Sequence, residues 1–296
     1  MEQAIQEQYA EQGYVIVRNL FTPEEVEFYR RHYMELRAGG AHPGDSAGVD
    51  LGDTAGADIG NVDPLKKYPR MIHMHRWDET SLNWMIDERI NAVLTALLGS
   101  EPFAVQTMLY FKPAGARGQA LHQDQFYLRV QPGTCMAAWL ALDDCDEENG
   151  CLQMVPGSQN WEILCTTAAD IQDSFTEITV ELPADTRSEP LIMKAGDVAF
   201  FNGQVVHGSF PNTSQDRFRR ALIGHYIMGE AEKVYRYYHP VLRMDGSEVT
   251  LLESEDGDTC GRWVEKDGTP VIEVQPKAGL NEAEVALAGR LDGGAI

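Results

Sequence analysis

The chain has 296 residues, 43% of them hydrophobic, and 46 acidic against 24 basic side chains give a formal charge of −22. That balance allows a sizeable core and argues against nucleic acid or an anionic membrane as partner, though a local basic pocket can still take an anionic ligand. No window reaches the ~18 apolar residues of a membrane span, the acidic start lacks signal-peptide features, and five cysteines without a C-x-x-C pair fit a reducing compartment better than a disulfide framework; a cytoplasmic location is expected.

In chain order, residues 2–12 are good helix formers, and Tyr14-Val-Ile-Val17 is a short β-branched run. Thr22-Pro-Glu-Glu25 combines a capping residue, proline at the first helical position and acids in the first turn. It predicts a helix to about Arg37 that stops at Gly39-Gly40. Residues 38–64 are rich in Gly, Ala and Asp and read as a long loop, a length typical of functional lids. A second helix is expected from Ser81 to about Leu98, ending at Gly99. From Phe103 the texture changes to strand-like runs at 103–111, 135–142, 152–155, 178–182, 198–201, 205–206 and 220–227, separated by turn signals. Helices followed by roughly eight short strands predict a mainly β fold with flanking helices, a barrel or jelly roll. The expected organisation is one domain over 1–296: a helical part at about 1–100, a β core at about 101–230 and an extension at about 231–296. The polar, turn-rich stretch at 243–296 gives no clear pattern.

Two histidines and an acid stand out. His122 and Asp124 lie in His122-Gln-Asp124, and positions i and i+2 of a strand share a face. With His207 they supply two imidazoles and one carboxylate, the facial-triad ligand set of non-haem iron(II) sites, which keeps open positions on the metal. Asn202-Gly203 reads as a tight hairpin placing Val205–His207 antiparallel to 198–201. Gly208 beside His207 permits close approach of a ligand. Further on, Arg217-Phe-Arg-Arg220 leads into an apolar strand. Alternation puts Arg219 on the face of Ala221 and Ile223, pointing to a core, and Arg220 on the face of Leu222. A buried guanidinium needs an anion, and a ligand carboxylate satisfies it by a bidentate pair. Arg217 and Arg220 are expected to pair with protein acids or solvate a turn.

The pattern as a whole resembles the phytanoyl-CoA dioxygenase family of iron(II)/2-oxoglutarate oxygenases. The resemblance rests on Tyr110-Phe-Lys-Pro113, His122-Gln-Asp124 with Phe126-Tyr127, Trp139-Leu-Ala-Leu-Asp143, Glu148-Asn-Gly150, Val155-Pro-Gly-Ser158, Ala195-Gly-Asp197, His207-Gly-Ser209, Pro211-Asn212 and Arg219-Arg-Ala-Leu222. It is dense over 103–228 and looser over 8–100. It implies a double-stranded β-helix (jelly-roll, cupin-like) core, with His122, Asp124 and His207 as iron ligands. It further implies Arg219 as anchor of the distal carboxylate of 2-oxoglutarate, with Ser209 assisting and Tyr110 and Trp139 lining that pocket. The stretch from Asn212 to Arg219 is one residue longer than the family pattern, which leaves Arg220 as the alternative anchor. The implied cofactors are Fe(II), 2-oxoglutarate and O2, with 2-oxoglutarate converted to succinate and CO2.

In related halogenases a small residue replaces the carboxylate ligand, so Asp124 favours hydroxylation or a related C–H oxidation of a small-molecule metabolite. The alternative is a cupin-like lyase, isomerase or dioxygenase that does not use 2-oxoglutarate. Expected substrate contacts are Gln106 and Met108, which alternate with Tyr110, and Gln123 and Gln125 beside the metal pair. His73, Met74, His75 and Arg76 follow the long loop as lid candidates, and the spacing of His73 and His75 is weak ground for a second metal. Arg117 and Arg129 flank the site and meet either an anionic substrate or solvent. Nothing marks a self-complementary apolar surface, so the oligomeric state stays open.

Overall fold

The structure is a computed structural model that describes residues 2–40, 42, 64–254, 260–266 and 269–273. Most of the 38–64 loop, and much of the chain beyond 254, lie outside the described residues. Helices α1 (Glu2–Gln12) and α2 (Pro23–Ala38) flank strand β1 (Tyr14–Val17). The start of α2 is as expected: Glu25 N–H donates to Thr22 Oγ1 and Thr22 N–H donates to Glu25 Oε2, a reciprocal capping box. Helix α3 (Pro64–Lys67) and strand β2 (Met71–Ile72) follow. The single helix expected over 81–98 is two, α4 (Glu79–Met85) and α5 (Glu88–Leu98). Asp87 breaks it, because its carboxylate caps a new N-terminus at Arg89 N–H.

The core strands are β3 (Phe103–Tyr110), β4 (Gln119–His122), β5 (Cys135–Ala141) and β6 (Leu152–Met154), with the short helix α6 (Asp124–Leu128) after β4. A side hairpin pairs β7 (Thr166–Ala168) with β8 (Ile178–Val180). Then come β9 (Glu189–Leu191), β10 (Val198–Asn202), β11 (His207–Ser209) and β12 (Ala221–Ile227). The remaining strands are β13 (Lys233–Val234), β14 (Val241–Leu242), β15 (Glu248–Val249), β16 (Leu252–Glu253), β17 (Arg262–Lys266) and β18 (Thr269–Glu273).

Among the described residues, two antiparallel sheets face each other. The larger runs β1-β10-β5-β12-β3-β14-β15, with β2 also on β3, and the smaller runs β4-β11-β6-β9. This is the jelly-roll core, and the N-terminal third contributes β1 and β2 to it as well as helices. Both faces of the large sheet are covered, so β5 and β12 are buried throughout and read as continuous apolar runs. Met136, Ala138, Leu140, Leu222 and Tyr226 pack outward against Val26 and Tyr33 of α2 and Trp84, Met85, Ile90 and Leu94 of α4 and α5. Ala137, Trp139, Ala141, Ala221 and Ile223 face inward onto Leu152, Met154 and Leu191 of the small sheet.

Two local expectations fail. Asn202-Gly203 is not a hairpin, since β10 belongs to the large sheet and β11 to the small one. Gly203 N–H stays on Cys135 O beside β5, and the chain then crosses between sheets. Cys165 and Cys260 form a disulfide, against the expectation that the cysteines fit a reducing compartment better than a disulfide framework. An odd count without C-x-x-C leaves one pair invisible when its members are 95 residues apart. Among the described residues no helix is long and apolar enough to cross a membrane.

Candidate active site

β11 lies between β4 and β6, and its register sets His207 directly opposite His122. Asp124 is not on the strand with His122. It opens α6, with Gln123 still extended (φ −122°, ψ 127°), so the spacing that brings the carboxylate beside the imidazole survives the change of element. One donor atom from each of His122, Asp124 and His207 falls within a 4.8 Å set, and all three residues are buried. His122 Nε2 is 3.5 Å from Asp124 Oδ1, and His207 Nε2 is 3.7 Å from Asp124 Oδ2. Nδ1–H of His122 donates to Ala120 O at 2.9 Å, and Nδ1–H of His207 donates to Val205 O at 3.0 Å. Both backbone carbonyls therefore leave Nε2 with its lone pair toward the shared centre, the tautomer a metal requires. Gly208 is needed here for a reason other than ligand approach: a Cβ would sit 2.7 Å from Gln119 O of β4.

The electrostatics suit a cation. Burial pulls His207 down to about 4, with His122 adding to it, so the ring is neutral at pH 7. Burial alone would raise the Asp124 carboxyl, but the neighbouring His207 and His225 outweigh it and hold it well below the usual range. The site thus offers the Nε2 atoms of two imidazoles and one carboxylate.

The inner face of the large sheet carries a second cluster. Arg219 is 2% exposed; its Nε–H donates to Gly150 O at 2.9 Å, its guanidinium lies 5.3 Å from the Trp139 ring, and its Nη1 has no partner among the described residues. Beside it Lys112, also 2% exposed, donates from Nζ to Ser209 Oγ at 2.7 Å, Phe210 O at 2.5 Å and Gly150 O at 3.3 Å. Burial, then the neighbouring Arg219, push the Lys112 amine well below its ordinary value, and burial lowers Arg219 too. Neither cation has an ion pair with a protein carboxylate among the described residues. Ser209 Oγ accepts from Lys112 and from Gln119 N–H, which leaves its own hydroxyl proton to donate. Tyr110, opposite Ala221, completes the wall, and Arg70 donates to its hydroxyl at 3.5 Å. Arg220 turns the other way and forms a bidentate pair with Asp143 at 2.7 and 2.9 Å, while Arg217 pairs with Asp146 and Glu148 at the surface.

Several expected substrate contacts are engaged elsewhere. Gln123 donates to Gln204 O and Glu162 O and accepts from Leu164 N–H. Gln125 donates to Val130 O and Gly133 O and accepts from Cys135 N–H. Both amides are consumed by backbone, so these two residues are loop clamps and not open to a substrate. Gln106 faces inward as alternation required, but its amide meets His225 Nδ1 at 2.8 Å. Met108 lines the inner core, opposite Ile223. Arg117 donates to Ile171 O and Ser174 O, and Arg129 stacks over Tyr235. His73 and His75 are buried and find no third donor for a metal among the described residues. Two residues escaped the reading of the sequence: Lys112, quoted only within a motif, and His225, whose Nε2 is 3.3 Å from Asp124 Oδ2.

Fold and donor set together define a jelly-roll protein organised around a His–Asp–His triad of facial type. The phytanoyl-CoA dioxygenase (PhyH) family model matches residues 9–221, and the chain belongs to that family. Phytanoyl-CoA dioxygenase 1 of Oryza sativa subsp. japonica is 31% identical over 155 residues, 52% of this chain and 55% of that protein. The peroxisomal phytanoyl-CoA dioxygenase of Bos taurus is 25% identical over 233 residues, 74% of this chain and 66% of that protein. The chain thus spans between about half and two thirds of these curated relatives. In solved structures the same fold occurs in the non-heme alpha ketoglutarate dependent epimerase SnoN from nogalamycin biosynthesis, with TM-score 0.59 and 22% identity over 78% of this chain and 83% of that one.

Proposed function

We propose that the protein is an iron(II)/2-oxoglutarate-dependent dioxygenase that oxidises a C–H bond of a small-molecule metabolite, with hydroxylation as the expected outcome. The observation that carries the proposal is a buried guanidinium, Arg219, with the Lys112 amine beside it, neither with a carboxylate partner among the described residues, and with Lys112 bonded to Ser209 of the strand that also holds His207. A buried charge left unpaired is strongly destabilising, and a dicarboxylate with one end on these groups removes that cost. His122, Asp124 and His207 fit iron(II) in ligand type, number and tautomer. When bound, iron and 2-oxoglutarate supply the activation of O2, with succinate and CO2 as co-products.

The chain's own contribution is placement and exclusion of water. Arg219 and Lys112 hold the distal carboxylate, the Ser209 hydroxyl donates to it, and Trp139 and Tyr110 form the apolar walls that strengthen those bonds by keeping the dielectric low. Asp124 supplies a carboxylate ligand where a halogenase has a small residue, which supports oxygen insertion over halogenation. The fold is shared with a protein described as an epimerase, so the reaction on the primary substrate is read from Asp124 and not from fold. A lyase or isomerase without 2-oxoglutarate would give Arg219 no anion to meet. The test is succinate formation from 2-oxoglutarate by anaerobically purified, iron(II)-loaded protein on admission of oxygen and pooled metabolites. Succinate above that of the His207→Ala variant supports the reading, and its absence with every addition refutes it.

A further inference from the structure

We infer that His225, held by Gln106, is a positioning residue that occupies one oxygen of Asp124 and so offers only the other to the metal; this rests on the iron(II) reading above. Each metal-facing side chain has its own orienting partner. For His122 and His207 that partner is a backbone carbonyl two residues earlier. For Asp124 it is a side chain, His225, 3.3 Å from Oδ2 and itself 2.8 Å from the Gln106 amide oxygen. His225 is 4% exposed and Gln106 is 3% exposed, so neither contact is made in solvent. They face each other in register across β12 and β3.

The proton at His225 Nε2 follows from the network. With the Gln106 amide turned so that its N–H donates to Nδ1, the ring proton sits on Nε2 and donates to Oδ2. Oδ1, 3.5 Å from His122 Nε2, is then the oxygen left for a metal. A carboxylate held in this way binds through one oxygen and keeps open the positions that a chelating co-substrate and oxygen need.

The experiment is Mn(II) binding without 2-oxoglutarate, followed by loss of the free-ion electron paramagnetic resonance signal, for wild type, His225→Ala, His225→Gln and Gln106→Leu. Circular dichroism checks that each variant is folded. His225→Ala is expected to weaken Mn(II) binding roughly 10- to 100-fold. His225→Gln, which keeps an N–H donor, is expected to recover most of it, and Gln106→Leu to fall between. If His225→Ala does not fold, the other two variants carry the comparison. A second readout is the visible charge-transfer band of the anaerobic iron(II)–2-oxoglutarate complex, expected to shift or weaken in His225→Ala. Wild-type Mn(II) affinity in the folded variants overturns the inference. If wild type binds Mn(II) and the variants separate, but no charge-transfer band forms, His225 keeps its role and the co-substrate reading fails. If wild type binds no Mn(II), both fall.

Discussion

Replacing Arg219 by methionine should move stability and co-substrate affinity in opposite directions. Methionine keeps most of the packed stem and removes the charge. In the ligand-free protein the guanidinium is fully buried with one nitrogen unpartnered among the described residues. What is lost there is one charge-assisted bond, to Gly150 O, worth about 1.5–3 kcal/mol, and the contact with the Trp139 ring. What is gained is relief of a buried charge, whose desolvation costs roughly several kcal/mol. Binding changes the sign. Truncating one partner of a buried charge pair costs about 2–5 kcal/mol, or roughly 30-fold to several thousand-fold in Kd for 2-oxoglutarate. The assay is calorimetric titration of 2-oxoglutarate into Mn(II)-loaded protein, with thermal melts of the unliganded forms. Arg220→Met is the control: it breaks the bidentate pair with Asp143, should cost ~1 kcal/mol of stability and should leave affinity unchanged. Unchanged affinity in Arg219→Met, or an equal loss in Arg220→Met, refutes the reasoning.

Stability should also fall early in acid. Burial, then Arg76, pushes His73 and His75 down to about 3, below the ordinary value near 6.5. The unfolded chain therefore binds more protons between those values, and stability is full above pH 6.5 and lost progressively down to about 3, on the order of a few kcal/mol for each ring. His73 has φ 56°, a conformation asparagine tolerates, so His73→Asn should flatten the slope of urea stability between pH 7 and 5; an unaltered slope counts against it. Gly208→Ala should push β4 off β11 through the clash with Gln119 O and separate His122 from His207, lowering turnover roughly 10²-fold. Retained turnover means the strands have room. Reducing the Cys165–Cys260 bond, or the double serine variant, should lower stability by about 2–4 kcal/mol; an identical melt in dithiothreitol argues that the bond does not form.

Alternation carried the site a long way and then stopped one step short in two places. Tyr110, Met108 and Gln106 alternate onto one face, and Lys112, two positions on, is the buried amine beside Arg219. Arg219, Ala221 and Ile223 share another, and the next member is His225, which meets Asp124. Both were within reach of period-two spacing. The glutamines were not. Whether an amide beside a metal pair recognises substrate or clamps a loop depends on partners such as Glu162 O and Gln204 O, distant in sequence and invisible to any local pattern. The hairpin at Asn202-Gly203 failed for the same reason: the turn residues were right, but which sheet receives the next strand is decided by packing across the whole jelly roll.

That Arg219 faces inward and Arg220 outward has a physical basis in the motifs around them. A slip of one residue exchanges every inward and outward side chain of a strand, so the inward guanidinium is only as secure as the register of the segment before β12. Asn149 Nδ2 donates to Phe218 O, and Asn212 Nδ2 donates to both Lys112 O and Arg217 O. Arg219 N–H donates to Lys112 O, and Leu142 N–H donates to Arg220 O. On the far side Asp143 accepts from the backbone N–H of Arg220. Glu148-Asn-Gly150, Pro211-Asn212 and the Asp143 that ends the tryptophan motif are therefore fasteners that fix the same register from different directions. An extra residue between Asn212 and Arg219 can be absorbed in the exposed turn at Gln215–Asp216, because the fasteners bind on either side of it. Arg219 faces inward since its neighbours on both sides are already pinned, and Asn149→Ala should weaken 2-oxoglutarate binding although the Asn149 side chain bonds only to backbone.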